Sequence, residues 1–293
     1  MKKIAIAAAT GNIGKRVAQQ ICKQNVTAVL LGQNIDRLNN LEISGGIPMV
    51  TDISNIEQMI SVTKGVDSLF ILVPPITTAP SYKEWYQNVT NAGIAAVTEN
   101  KIKKVVLISS LGATTSPDQG TVSYCGNMEV AFDHLEANVL ALRPGYFMEN
   151  FLLQAEEIRN SGSLSFPYDE NHDIPFISTD DIGDVASRYL LDETWSGHWK
   201  LNLMGPENIT PKEIAERLTA STNKTITYLR QSPEDLKAQL KSWGISNVKQ
   251  TEMLELYQAL GDLYGPYATP RTPEAATPTS FEQFLKNKML ANL

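Results

Sequence analysis

Cysteine is nearly missing from this chain: Cys22 and Cys125 are its two, too few for a disulfide framework and without metal-ligand spacing. His134, His172 and His198 are equally scattered, so no metal centre is expected. Long apolar runs are absent too. The longest are strand-length, far below the roughly 18 residues of a membrane span. A basic excess is also lacking: the formal net charge is -7, and Lys101-Ile102-Lys103-Lys104 is the densest basic segment. That balance disfavours nucleic acid, and the segment reads as a solvated helix-to-strand junction. Nor is there room for a signal peptide before the first strand, which predicts a cytoplasmic protein with no membrane contact.

What is present describes a soluble globular α/β protein. Hydrophobic residues make up 42% and charged residues 19% of 293, enough for a sizeable core in one large domain or two ordinary ones. The chain opens with Lys3-Ile4-Ala5-Ile6-Ala7, an apolar strand, followed by Ala8-Ala9-Thr10-Gly11-Asn12-Ile13-Gly14. Strand, tight turn and helix in that order place backbone N–H groups at a helix N-terminus, where they hold a nucleotide pyrophosphate. Gly11 would let the phosphates approach and Gly14 would let the helix pack on the strand. The first glycine of the dinucleotide fingerprint is missing, with Ala8 in its place.

Ile13, Val17 and Ile21 recur at helical spacing and face the sheet, and Thr27 to Leu31 completes a βαβ unit. At the end of that second strand the acidic residue that reads the ribose of NAD is missing. Gln33, Asn34 and Arg37 stand there instead, which argues against strict NAD preference and offers Arg37 to a 2′-phosphate. Pro48 to Val50 predicts a third strand, and Ser54 with Glu57 a capping box for the next helix, stopped at Gly65. Ser68 to Val73 predicts a fourth, fully buried strand with a sharp Pro74-Pro75 exit. A helix follows from about Tyr82 to Asn100 with Trp85, Val89, Ala92 and Ala96 inward.

The fifth strand runs from Lys104 to Ser110. Short-chain reductases often line the nicotinamide pocket with a serine there, here Ser109, and pair it with a tyrosine followed four residues later by lysine. Tyr124 is followed by Met128. With no cation to lower its pKa, the phenol stays near about 10 and is a poor acid-base group, so Tyr124 is expected to be a pocket wall. A helix from about Tyr124 to Ala137 leads to a sixth strand, Val139 to Leu142, and then Arg143-Pro144-Gly145-Tyr146-Phe147-Met148-Glu149-Asn150.

The succession ATGNIG, VDSLFILVPP, VVLISSLGA, LRPGYFMENF, IPFISTDDIGDVA, LNLMGPENITPKEIAERL and SFEQFLKN resembles, over the whole chain, the NmrA-like family of atypical short-chain dehydrogenases/reductases. The resemblance implies a Rossmann-type doubly wound parallel sheet over 1–150. It also implies a smaller α+β lobe over 151–293, interleaved with that core and not an independent domain. It implies that Thr10, Asn12 and Ile13 contact the pyrophosphate, and that Gln33 and Arg37 fall where relatives carry arginine and lysine for a 2′-phosphate. Asp52 and Ile53 would lie beside the adenine, and Val73 and Pro74 along the adenine-ribose half. Ser109, Pro144, Tyr146 and Phe147 would surround the nicotinamide. NADP(H) is therefore expected over NAD(H).

In the second lobe, Ile174 to Ile177 predicts a strand and Ser178 or Thr179 a cap for a helix carrying Asp180 and Asp181 in its first turn. Thr210-Pro211-Lys212-Glu213 and Ser232-Pro233-Glu234-Asp235 open further helices. Residues 265–278, rich in proline and threonine, predict an extended loop before a last helix from about Phe281. Glu149 and Asn150, after a central strand, are candidates for the substrate side, with capping of a helix as their structural role.

These readings lead to an oxidoreductase that passes a hydride from NADPH to a small molecule, a quinone or similar carbonyl acceptor, with Tyr146, Phe147, Asn150 and Tyr124 as pocket candidates and no assigned catalytic residue. A quinone accepts hydride readily, so a dry, shaped pocket suffices. The alternative is a non-catalytic NAD(P)-sensing regulator, in keeping with the departures at Ala8, Gln33 and Met128. Monomer and homodimer both remain open.

Overall fold

The computed structural model describes residues 1–41, 43–75 and 78–290. The first half alternates strand and helix: β1 (Lys3–Ile6), α1 (Asn12–Ile21), β2 (Thr27–Gly32), α2 (Ile35–Asn39), β3 (Gly46–Val50) and α3 (Ile56–Val62). Then come β4 (Ser68–Ile71), α4 (Tyr82–Asn100), β5 (Lys104–Ile108), α5 (Thr121–Phe132) and β6 (Asn138–Pro144). The second half holds β7 (Tyr146–Phe147), a 3-10 segment Met148–Gln154, α6 (Ala155–Ser161), β8 (Ser163–Phe166), β9 (Ile174–Ile177) and α7 (Thr179–Leu191). It continues through β10 (His198–Leu203), β11 (Asn208–Ile209), α8 (Pro211–Thr222), β12 (Thr227–Arg230), α9 (Pro233–Ser242), α10 (Asn247–Leu260) and α11 (Phe281–Phe284).

Seven parallel strands form the central sheet in the order β10-β6-β5-β4-β1-β2-β3, the doubly wound Rossmann arrangement. Side chains alternate across it as strand geometry requires. Ala5, Leu69, Ile71, Val105 and Leu107 pack under α4 and α5 with Val89, Ala92, Ala96 and Phe132. Ile4, Ile6, Phe70, Val106 and Ile108 pack on the other face under α1 and α7, against Val17, Ile21, Ile182 and Ala186. Thus α7 and β10, from the second half of the chain, complete the first-half sheet. A third core, around Phe151, Phe166, Phe176 and Phe281, joins a small sheet β11-β9-β7 to the pair β12-β8.

Helix α4 spans the residues expected, opened by Ser81 accepting the Glu84 N–H. Several boundaries differ: β3 begins at Gly46, β5 stops at Ile108, short of Ser110, and β6 extends over Asn138–Pro144. Helix α3 starts at Ile56, because Asn55, not Ser54, accepts the Gln58 N–H, while Ser54 turns back on Asp52. Helix α5 starts a turn early, after Gly120 at φ 54°, and ends at Phe132 because the Leu135 N–H folds back onto the Phe132 carbonyl. Strand β4 stops at Ile71, short of Val73. The caps at Ser178, Thr210 and Ser232 stand as read.

Candidate cofactor and substrate site

The opening turn is built by Ala8. Its φ of 51° puts an alanine in the left-handed region that glycine ordinarily occupies. The Gly11 N–H closes the turn on the Ala8 carbonyl at 3.0 Å. A Cβ on Gly14 would lie 2.3 Å from that same carbonyl oxygen, so the fold itself demands this glycine. Gly11 is different: it is exposed, has φ -83°, and a Cβ there would find its nearest atom at 3.4 Å. Neither backbone strain nor packing requires glycine at 11. Helix α1 also has no side-chain cap and no acidic residue in its first turn, unlike α4 and α8, which are capped by Ser81 and Thr210. No side chain caps its positive end, as is also the case for α5 and α6.

The other sequence candidates line the same carboxyl edge. Gln33 and Arg37 are exposed beyond β2, and Asn34 is the cap of α2, accepting the Arg37 N–H at 2.9 Å. Asp52 follows β3 and holds Ser54 through its N–H and hydroxyl at 2.9 and 2.7 Å, with Ile53 buried beside it. Val73 and Pro74 follow β4, and the Pro74 carbonyl accepts the Trp85 indole N–H at 2.8 Å. Ser109 directly follows β5 and Pro144 ends β6; the Ser109 N–H bonds the Leu142 carbonyl at 2.8 Å and the Leu111 N–H the Pro144 carbonyl at 2.9 Å.

Around Ser109 lies a buried charge cluster that sequence reasoning missed. The Ser109 hydroxyl donates to Glu129. Glu129, 2% exposed, also takes a bidentate pair from Arg143 at 2.8 and 2.5 Å. Burial pushes the neighbouring Cys125 thiol up to about 12, so this cysteine is inert. Tyr124 donates to Glu252 of α10 at 3.1 Å. Burial first and Glu252 second hold its phenol well above the ordinary value. Glu252 in turn accepts the Tyr82 and Lys83 N–H groups at 2.7 and 3.0 Å, capping α4 from a remote helix.

Tyr146 and Phe147 do not form one wall. Adjacent strand residues point to opposite faces: Tyr146 packs edge-on to Phe166 and Phe176 at 5.7 and 5.4 Å, whereas Phe147 joins the core beneath α7. Burial raises the Tyr146 phenol well above its ordinary value, with Tyr257 and Tyr267 close by and Asn150 as a hydrogen-bonding neighbour. Glu149 is buried and committed elsewhere. It accepts the Thr179 N–H at 2.9 Å and pairs with Lys288 at 2.8 Å, while Lys288 also reaches Asp180 at 2.8 Å. Its role is to cap α7.

The three histidines bond backbone carbonyls: His134 to Val130, His172 to Leu260, and His198 to Leu135 and Ala137. Among the described residues no cluster is placed to hold a metal and no helix is long and apolar enough to cross a membrane. Two cavities of about 470 and 500 Å³ lie away from the carboxyl edge. One sits at the sheet's amino ends by Lys2 and Lys104, and the other beside α8 at Lys212 and Tyr228.

Helix α10, which delivers Glu252, turns Leu256, Tyr257 and Leu260 toward the aromatic core at helical spacing. Its buried face carries Lys249, Gln250 and Glu252.

Known proteins share this architecture. Prestalk A differentiation protein A of Dictyostelium discoideum is 26% identical, over 97% of this chain and 91% of its own. A NADPH-dependent quinone oxidoreductase of Escherichia coli, solved in complex with NADPH, superimposes with a TM-score of 0.70 at 23% identity, covering 94% of this chain and 97% of that one. NmrA, a negative transcriptional regulator solved in complex with NADP, superimposes with a TM-score of 0.73 at 15% identity, covering 99% and 96%. The NmrA-like family pattern matches residues 1–285, and with the doubly wound sheet and its opening glycine turn in place, the chain belongs to the NmrA-like family.

Proposed function

We propose that this protein binds NADP(H) along the carboxyl edge of the sheet and reduces a quinone or a similar small carbonyl acceptor. The observation that carries this reading is the convergence, on one edge, of the uncapped α1 with its exposed Gly11 and the phenol cluster around Tyr146. In this reading the Asn12 and Ile13 N–H groups hold the pyrophosphate, with Thr10 beside them. Gln33 and Arg37 meet the 2′-phosphate, Asp52, Ile53, Val73 and Pro74 flank the adenosine half, and Ser109, Pro144 and Tyr146 border the nicotinamide. When bound, NADPH supplies a hydride. The protein's part is to hold the acceptor and exclude water, since a quinone needs no strong acid; solvent then protonates the product. The NADPH-dependent quinone oxidoreductase with the same fold supports the choice of acceptor.

A second reading, an NAD(P)-sensing regulator, is favoured by one observation. The serine and tyrosine that short-chain reductases use for proton transfer are here tied to Glu129 and Glu252. The likeness to NmrA points the same way.

Calorimetric titration with NADPH and NADH, followed by a quinone panel on the same sample, separates the two. Tight NADPH binding with quinone-dependent NADPH oxidation is the expected result. Binding without turnover, accompanied by a change in oligomeric state or partner affinity, would select the regulator.

A further inference from the structure

We infer that the outer edge of β12 docks an extended segment of a partner protein, one that alternates basic and apolar residues and adds a strand beside β12. Strands β8 and β12 form a parallel pair, so each has one edge turned away from the other. The Thr227 N–H bonds the Gly162 carbonyl and the Gln231 N–H the Phe166 carbonyl, both at 2.8 Å. Alternate residues of a parallel ladder face the partner strand. Tyr228 and Arg230 therefore turn their N–H and C=O groups outward.

The two outer edges are finished differently. On β8 the Ser165 N–H donates to the Gln154 side-chain carbonyl at 2.9 Å, and the Gln154 amide donates to the Ser165 carbonyl at 3.0 Å. One side chain closes that edge. On β12 the Thr219 hydroxyl accepts the Ile226 N–H at 2.9 Å. Beyond that point, among the described residues, no hydrogen bond reaches the outward backbone groups of Tyr228 or Arg230. An edge left in this state is a template for another strand.

The surroundings state what the added strand must carry. A groove of about 500 Å³ runs beside β12, between Ala215, Glu216 and Ala220 on one face of α8 and Ile226 and Tyr228 of the strand side, with Glu170 exposed at its rim. The alanines leave room for the methylene stem of a lysine or arginine, whose charged head would meet Glu170 and Glu216. Neither carboxylate has an ion pair among the described residues, and Lys212 is the one cation that lines the groove. On the opposite face of the strand Leu229 is 50% exposed, and an apolar neighbour on the added strand would cover it. A second copy of this chain fits less well: two-fold pairing of β12 with itself sets the two acidic rims against each other.

The test titrates the full chain with an end-blocked hexapeptide of alternating lysine and valine, read by calorimetry and by backbone amide resonances. The expected result is saturable binding that shifts the Tyr228 and Arg230 amides. N-methylation of one alternate set of peptide amides, the set that pairs with β12, should weaken binding at least about tenfold, and methylation of the other set should not. Replacing the peptide's lysines by glutamate should weaken it as well, and Glu216→Lys should narrow that difference. Arg230→Pro removes an outward N–H at an edge position, where proline is tolerated, and should cost at least about tenfold in affinity. Arg230→Ala keeps that N–H and should stay within about threefold, with NADPH affinity unchanged in both variants. No binding of the lysine peptide, tolerance of both methylation patterns, or full affinity in Arg230→Pro would overturn the proposal. So would a parent dimer that Arg230→Pro dissociates, since the edge would then belong to a second copy. If Arg230→Pro does not fold, the two methylated peptides on the parent protein decide.

Discussion

Ala8 and Gly14 meet backbone to backbone: a Cβ on Gly14 would approach the Ala8 carbonyl oxygen to 2.3 Å, whereas one on Gly11 would keep 3.4 Å. The two glycines of the turn thus differ: the fold demands Gly14, whereas neither strain nor packing demands Gly11.

Gly14→Ala should destabilise the protein by about 1–3 kcal/mol, the range for overpacking a tight site. Gly11→Ala should leave the melting temperature nearly unchanged yet weaken NADPH binding at least about tenfold, or about 1.4 kcal/mol. Thermal melts beside calorimetric titration check both, and equal effects of the two variants would remove the distinction.

Ala8→Gly should stabilise by about 1 kcal/mol, because an L side chain in the left-handed region costs about 1–2 kcal/mol and glycine's extra freedom when unfolded offsets part of the gain. The turn is already formed by alanine at φ 51°, so NADPH affinity should change less than about twofold. A large gain in affinity would show that the methyl limits binding.

Much of this edge was legible from local signals. The opening turn, the Pro74-Pro75 exit and the caps at Ser178, Thr210 and Ser232 each lie within a few residues of the structure they dictate. The partners of Ser109 and Tyr124 were not legible. Glu129 and Arg143 meet only after β5 and β6 pair, and Glu252 reaches Tyr124 across a separation of 128 residues. The apolar period of Met253, Leu256, Tyr257 and Leu260 marks α10 as a helix, but nothing local shows that Glu252 on it is buried. Strands β8 and β12, four residues each, pair among the described residues with one another alone, and the alternation of Ser163-Leu164-Ser165-Phe166 is too short to announce its partner.

Glu129→Ala should cost about 3 kcal/mol, since it strands the Arg143 guanidinium and the Ser109 hydroxyl in a largely buried site. Urea denaturation measures it. A loss below about 1 kcal/mol would mean that water reaches Arg143 readily.

Tyr124→Phe should lower stability by about 1 kcal/mol through the lost bond to Glu252 while changing quinone turnover less than about threefold, because a phenol held high by burial and a carboxylate is no proton donor at neutral pH. A loss of turnover beyond about a hundredfold would restore it as an acid-base group.

Acid should weaken the clasp between α1 and α7. Burial alone would raise the Asp184 carboxyl, but the Arg16 guanidinium at 2.7 Å and the Gln20 amide at 2.6 Å outweigh it and hold the pKa below the ordinary aspartate value. A group held low in the folded state adds stability above the unfolded pKa of about 3.9 and loses that stability as pH falls through the folded value. In urea titrations between pH 5 and 2, taken as about the working window, Asp184→Asn should flatten the decline.

The bridge from Lys288 to Glu149 and Asp180 bears on the order in which this protein is completed during synthesis. Strands β1 to β6 can pair as soon as they leave the ribosome, yet Glu149 behind β6 waits for a lysine 139 residues further on, which also ties down Asp180 at the start of α7. Contacts of such sequence separation form late because loop closure precedes any reward. Strands β1 to β6 thus emerge before α7 and β10, which complete and cover their sheet, and this corner is the last part of the molecule to be locked.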